Sequence, residues 1–390
     1  MYTSPNVNRI EHQLNLFGIS RGELLDMLNQ DRVKLLGQED VFGENIKIST
    51  LKKIDEIFGK GLGYYTDPKD PIQSKDESIF FRKDHFNADL NLGARQIVNR
   101  FEQEKLSFSV LAKLSDFNIK RQLKVYSTKQ DPKLAAEEIR PILYPRFVKD
   151  RKKFLENFIA KLGEHNIIVF EFVETHNKKN KANINGFYLS PNVIVLKRNQ
   201  KSLKREIFTL AHELGHYLLN EEEIDDNISE EMSAKGNKLS DIERWCNDFA
   251  YYFLVGEYEK EIAAIQTASE ANDYYTDLIE QVSERTHLST LSLYTRLLLS
   301  HKISPVSYKT VTDNILSSIR EWEETEKKRM EAEKIKALAE GRKAPGGSPK
   351  PIISPMFLET IKSALYTGLI NEAEFCKRLN IKSEKINSYL

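Results

Sequence analysis

Apolar positions in the first seventy residues recur at helical spacing in short bursts. ISRGELLDML (19–28) opens on Ser20 and sets Leu24, Leu25 and Leu28 on one face. ISTLKKIDEIFG (48–59) repeats the pattern with Ile54, Ile57 and Phe58, with Ser49 or Thr50 as the expected cap and Gly59 and Gly61 as the stop. GYYTDPKDP (63–71) is turn-rich and marks a boundary. Residues 90–160 keep a helical period, most clearly over 97–114 and 151–165. The period then changes. IIVFEFV (167–173), INGFYL (184–189) and VIVLKR (193–198) are β-branched and aromatic runs with strand character. The polar loop ETHNKKNKAN (174–183) separates the first two, and a Ser-Pro-Asn turn the last two. Helical spacing returns over Leu203 to Leu219, from about Ser240 to Leu254, and from Asp273 to about Leu299. Short strands followed by long helices predict an α+β fold, a mostly helical chain whose small three-stranded sheet is packed on one face by helices. Residues 319–340 form a highly charged helical run, read as a solvated face laced by i,i+4 pairs. It ends at the Gly/Pro linker GRKAPGGSPKP (341–351), after which the tail is helical again.

Composition narrows the classes. A chain of 390 residues has material for two or three domains. Lys plus Arg and Asp plus Glu are each 58, so no global field favours nucleic acid or an anionic membrane. The two cysteines, Cys246 and Cys376, lie 130 positions apart, which is no disulfide framework and fits a reducing compartment. The first residues lack the apolar core of a signal peptide, and no run of about 18 apolar residues occurs. A cytoplasmic protein without a membrane span is expected.

One motif carries chemistry. FTLAHELGHYLL (208–219) contains His212-Glu213-Leu214-Gly215-His216. On a helix, positions i and i+4 share a face, so both imidazoles can reach one metal ion, with Glu213 beside them to take a proton from water that the ion activates. Gly215 costs about 1 kcal/mol in helix propensity against alanine, reasonable where another backbone approaches closely. Catalytic zinc wants a third protein ligand and an open position. The next histidine, His287, is 71 residues beyond His216. Glu243, near the start of SDIERWCNDFAYYFL (240–254), is the favoured candidate. Its bland reading is a helix N-terminal carboxylate favoured by the dipole. Glu221, Glu222 and Glu223 are rivals in sequence, expected at the helix end and pointing to solvent. Cys246, one turn after Glu243, could approach the metal but reads more readily as a small buried hydrophobe. Tyr188, Tyr251, Tyr252 and His287 have chemistry suited to an oxyanion, and none is assigned. VIVLKR (193–198) is expected to be an edge strand to which an extended substrate could add.

REIFTLAHELGHYLL followed by IERWCNDFAYYFL resembles the ImmA/IrrE family of zinc metallopeptidases, and INGFYLSPNVIVLKR is similar to the family's preceding strands. The resemblance implies a zincin-like helix with Zn2+ held by His212, His216 and Glu243, and Glu213 as catalytic base. Members often continue with Met-Pro after the second helix, where this chain has Val255-Gly256. The implied organisation is a degenerate XRE-like helix-turn-helix domain (1–75), a helical connector (76–140), the zinc metallopeptidase domain (141–301) and a helical C-terminal region (302–390). Residues 1–70 carry nine Lys or Arg against eleven Asp or Glu, the wrong sign for gripping phosphates, so the first domain reads as a docking or regulatory element. The implied reaction is hydrolysis of a peptide bond in a partner protein, a helix-turn-helix repressor of stress, mobile-element or defence genes. The competing readings are a non-catalytic, antitoxin-like binding protein that keeps the zinc fold, and a DNA-binding transcription factor with an accessory metal site.

Overall fold

The computed structural model describes every residue except 31, 73–77, 83–89, 118, 175–180, 199, 201, 225–239 and 343–348. The loop read at 174–183 and the linker read at 341–351 therefore lie largely outside the described residues. The chain divides into two compact units, Met1–Glu104 with Asn180–Asn183, and Lys105–Lys179 with Ile184–Leu390.

In the first unit β1 (Tyr2–Thr3) pairs antiparallel with β2 (Ile46–Lys47). Around them lie α1 (Val7–Phe17), α2 (Arg21–Asn29), α3 (Glu39–Phe42), α4 (Ile48–Phe58), α5 (Leu62–Thr66), α6 (Ile79–Arg82) and the start of α7 (Leu92–Leu114). Helix α2 begins as expected. The Ser20 hydroxyl accepts from the Glu23 N–H at 3.2 Å, and the Glu23 carboxylate accepts from the Ser20 N–H at 2.7 Å. Helix α4 does not begin as expected. It leaves β2 directly, so Lys47 stands at the cap without a side-chain bond, and Ser49 and Thr50 fall inside its first turn. Ile10, Leu14, Phe17, Leu24, Leu51, Ile54 and Phe58 close a core of their own.

After the rest of α7, the second unit continues with α8 (Pro132–Leu143) and α9 (Arg151–Gly163), followed by β3 (Ile168–Phe172), β4 (Gly186–Leu189) and β5 (Val193–Lys197). Helix α8 falls within the helical period read over 90–160; Asp131 caps it and Pro132 holds its first position. The three strands were legible, but their order was not. The sheet runs β3-β5-β4, with β3 and β5 parallel and β4 antiparallel to β5. VIVLKR is thus the middle strand, and β4 takes the edge that was assigned to it. Nearly every sheet residue is buried, which is why the runs are continuously apolar instead of alternating.

Helix α10 (Leu203–Leu219) packs across β4 and β5, and α11 (Asp241–Val255) packs on α10 and on α8. After α12 (Glu259–Ala264) the expected single helix over 273–299 is broken in two: α13 (Thr276–Thr286) and α14 (Thr290–Leu299). His287 adopts φ 60°, a left-handed value that ends α13, and Ser289 then caps α14. The charged run belongs to α15 (Pro305–Ala339), whose second half is largely exposed and carries an Arg329–Glu326 pair at 2.9 Å. The tail forms α16 (Pro355–Tyr366) and α17 (Glu372–Leu379). No helix among the described residues is long and apolar enough to cross a membrane.

Candidate metal centre

Helix α10 is built to be a rigid support. Ser202 caps its start by accepting from the Arg205 N–H, and every residue from Glu206 to Leu219 is buried. Its last carbonyls are satisfied by a segment far earlier in the chain. Arg121 donates to the Tyr217 and Leu218 carbonyls, and the Tyr126 N–H donates to the Leu218 carbonyl at 2.9 Å. Helix α11 crosses closely at Gly215. A Cβ built there would lie 3.0 Å from the Cys246 Sγ and 3.1 Å from both its Cα and Cβ. The helical glycine is therefore explained by close backbone approach, as its propensity cost suggested. The same contact accounts for Cys246, a buried thiol whose pKa is pushed up by desolvation first and by Glu243 and Glu213 second.

That crossing brings three donors together. The Nε2 atoms of His212 and His216 are 3.1 Å apart, and each lies 3.2 Å from a Glu243 carboxylate oxygen. Their relative exposures are 1, 2 and 3 %, so the cluster is closed off from solvent screening. Donors about 2.0–2.1 Å from a tetrahedral ion stand about 3.3–3.4 Å from one another, so these separations fit one Zn2+ with the fourth position open. Two imidazoles and a carboxylate are also a donor set that suits zinc. Among the described residues this is the one group of three or more His, Cys, Asp or Glu side chains able to share an ion, and Cys246 is not part of it.

The electrostatics agree with the geometry. Burial pushes the Glu243 carboxyl up, but His216 and His212 outweigh it and hold the group well below the usual carboxylate range. Burial opposes the charged form of His216, and Glu243 overcomes that and raises its pKa. The site thus holds a buried negative charge aimed at two imidazoles. The Asn247 Oδ1 lies 3.0 Å from the His212 Nδ1, which fixes the tautomer with the proton on Nδ1 and leaves Nε2 free to ligate. Asn247 was not singled out from sequence, although it lies one turn beyond Glu243 and so shares its face.

Glu213 is 2 % exposed and lies against β4. A Cβ added at Gly186 would come within 2.9 Å of the Thr209 Cγ2 and 3.0 Å of the Glu213 Oε1, so this edge strand runs flush against the carboxylate because it has no side chain there. Of the rival glutamates, Glu222 accepts from the Ser190 N–H at 2.7 Å and Glu223 from the Ser240 hydroxyl at 3.1 Å. They tie the helix end to β4 and to the cap of α11 instead of pointing freely to solvent; Glu221 alone is exposed. The four side chains considered for the oxyanion are engaged elsewhere. Tyr188 bonds Asn220, Tyr251 bonds Glu259, Tyr252 bonds Arg296, and His287 bonds the Val148 carbonyl while stacking on Phe147.

Residues 164–298 match the model of the peptidase M78 family, described as the IrrE N-terminal-like domain. This segment is an IrrE-like peptidase domain. No curated protein and no solved structure matches the chain. The IrrE-like domain takes in the whole sheet, α10 and α11, and therefore all three donors and Glu213. Together with the buried His-His-Glu cluster it makes the chain a zinc metallopeptidase of the His-Glu-x-x-His type. The IrrE-like domain also contains a buried charged layer that sequence reasoning missed because it lies within apolar runs. The Arg198 Nη1 lies 2.6 Å from the Glu206 Oε2 at the start of α10, and the Arg198 Nε lies 3.6 Å from the Glu171 Oε2 on β3. Glu171 also accepts the Ile352 N–H at 2.5 Å. Burial pushes the Glu171 carboxyl up to about 8 against the opposing pull of that N–H and of Arg198.

Proposed function

We propose that this metallopeptidase is an endopeptidase whose zinc is held by His212, His216 and Glu243 and whose proton carrier is Glu213, and that it cuts a peptide bond within a partner protein. The observation that carries the reading is the convergence of the two Nε2 atoms and the Glu243 carboxylate at 3.1–3.2 Å beside the Glu213 carboxylate. Zinc in this cage supplies Lewis acidity toward the scissile carbonyl and lowers the pKa of a water toward neutrality.

The chain's residues do the rest. The Glu213 carboxylate accepts the proton of the attacking water and returns it to the leaving amine. Asn247 keeps the His212 Nδ1 protonated and the ring oriented. Among the described residues no strand pairs with the outer edge of β4. An extended substrate added there by backbone hydrogen bonds lies against Gly186, within reach of Glu213. A helix-turn-helix repressor is the substrate class that the resemblance to the ImmA/IrrE family implies, with the N-terminal unit serving as a docking element more than as a DNA reader.

The test pairs the zinc-loaded chain and its Glu213→Gln variant with the product of the adjacent gene, and follows cleavage by mass spectrometry. One cut by the wild type, none by the variant and equal zinc in both support the reading. Equal biological activity of the two proteins overturns it in favour of a non-catalytic binding role.

A further inference from the structure

At the far end of α11 from the metal cluster lies a cavity of about 630 Å³, a volume in the range of small-molecule sites. Tyr252 lies nine positions after Glu243 on this helix, so the cavity is displaced from the metal cluster by about 13 Å along the axis. One wall comes from α8, with Lys133, Arg140 and Tyr144; the other comes from the end of α11 and the turn after it, with Tyr252, Glu257 and Glu259.

Gly256 opens the space. Its φ of +54° and ψ of −129° suit glycine alone, and a Cβ there would meet the Arg140 guanidinium at 2.5 Å. This is the position at which the chain departs from the Met-Pro frequent in the resembling family. Arg140 occupies the vacated room, lies over the Tyr144 ring at 3.7 Å, and leaves its buried Nε without a hydrogen-bond partner among the described residues. Lys133 lies 5.6 Å from the Tyr252 ring centroid.

The charges on the two walls are not spent on each other. Glu137 is placed one turn from both Lys133 and Arg140, and Glu257 one turn from Lys260, yet among the described residues none of these forms an ion pair within 4 Å. Glu259 gives one oxygen to the Tyr251 hydroxyl and keeps the other. Cations thus predominate on the α8 wall and carboxylates on the opposite wall, with aromatic faces on both. A polyanion is repelled by the three glutamates and a simple cation by the three basic groups. The complement is a molecule that carries both charges at its ends and an apolar body between them.

We infer that this cavity binds a zwitterionic ligand of amino-acid type, its carboxylate on Arg140 and Lys133, its ammonium on Glu257 and Glu259, and an apolar or aromatic side chain on Tyr252. A free amino acid and a short peptide share this chemistry and differ in charge spacing. The inference does not depend on the metal.

Isothermal titration of the full zinc-loaded chain tests it, with L-phenylalanine and the dipeptide Phe-Phe as probes. 3-Phenylpropionate and phenethylamine, each carrying one of the two charges, are the controls. Binding of either zwitterion, about tenfold weaker binding of both controls, and about tenfold weakening by Lys133→Gln and by Arg140→Gln are expected. The better of the two zwitterions identifies the source. Lys133→Gln changes a half-buried side chain and leaves the fold in place, so it stands even where Arg140→Gln melts the protein. The inference is overturned when neither zwitterion binds at about 10 mM, when a single-charge control binds as tightly, or when Lys133→Gln binds like the wild type, which would place the ligand in another cleft.

Discussion

Gly215→Ala is the sharpest perturbation of the crossing that assembles the metal cluster. The added methyl gains about 1 kcal/mol of helix propensity on α10. Against that, it stands 3.0 Å from the Cys246 Sγ and 3.1 Å from the Cys246 Cα and Cβ. Two of these three atoms are the backbone carbon and the first side-chain carbon of α11, so no rotamer change moves them away and the helices must separate. Overpacking of this kind costs about 1–3 kcal/mol, leaving a net loss of about 1 kcal/mol in the metal-free protein. The larger effect falls on the metal. Separating α10 from α11 draws Glu243 away from His212 and His216, whose present spacing of 3.2 Å suits one ion. Zinc affinity should fall by about 10–100-fold, the range seen when supporting contacts of metal ligands are lost. Competitive chelator titration measures this, and chemical denaturation of the metal-free protein measures the stability loss. Adding Cys246→Ala removes only the Sγ contact and should restore part of the affinity, because the two carbons remain. Zinc affinity unchanged within a factor of about two in the single variant would refute the argument that this glycine sets the helix spacing.

Gly186→Ala pushes a methyl against Thr209 and the Glu213 Oε1, so turnover should fall by about 10²-fold with zinc content unchanged, as read by steady-state kinetics beside elemental analysis. Asn247→Leu removes the acceptor for the His212 Nδ1 proton and should weaken zinc by about 10–100-fold in the same chelator titration, while Asn247→Asp retains it. Glu171 holds its proton to about pH 8 in the folded chain against 4.5 when unfolded, so the folded state binds the extra proton between those values. Its contribution to stability is complete below about pH 4.5 and is lost as pH rises through about 8, at no more than about 1.4 kcal/mol per pH unit. Glu171→Gln should flatten that slope in denaturation curves recorded from pH 5 to 9.

The metal cluster was legible because its chemistry is local. His212, Glu213 and His216 lie within one turn and a half of helix, and Glu243 lies at the start of the next long helix, where Ser240 caps it. Gly215 was legible as a close approach, and the structure names the partner. What the sequence could not display is pairing at a distance. The runs at 168–172, 186–189 and 193–197 declare themselves as strands, but nothing in them says that the last inserts between the other two, since sequential strands need not be sequential in a sheet. The roles of Arg121 and Arg140 were hidden for the same reason, because each works on a segment about a hundred residues away. Glu171 sits inside one apolar run and Arg198 ends another, and only folding shows that they share a buried layer with Glu206.

The capping of α10 has a consequence for where this catalytic unit can be cut. The recognisable segment starts at residue 164, but the donors that close the carbonyls of Tyr217 and Leu218 come from Arg121 and Tyr126, and one flank of α11 is covered by α8. A fragment trimmed to 164–298 would expose the apolar surface of Ala135, Ala136 and Ile139's partners and fray the very turn that carries His216. The smallest autonomous peptidase therefore extends at least some forty residues upstream of the part that its sequence advertises.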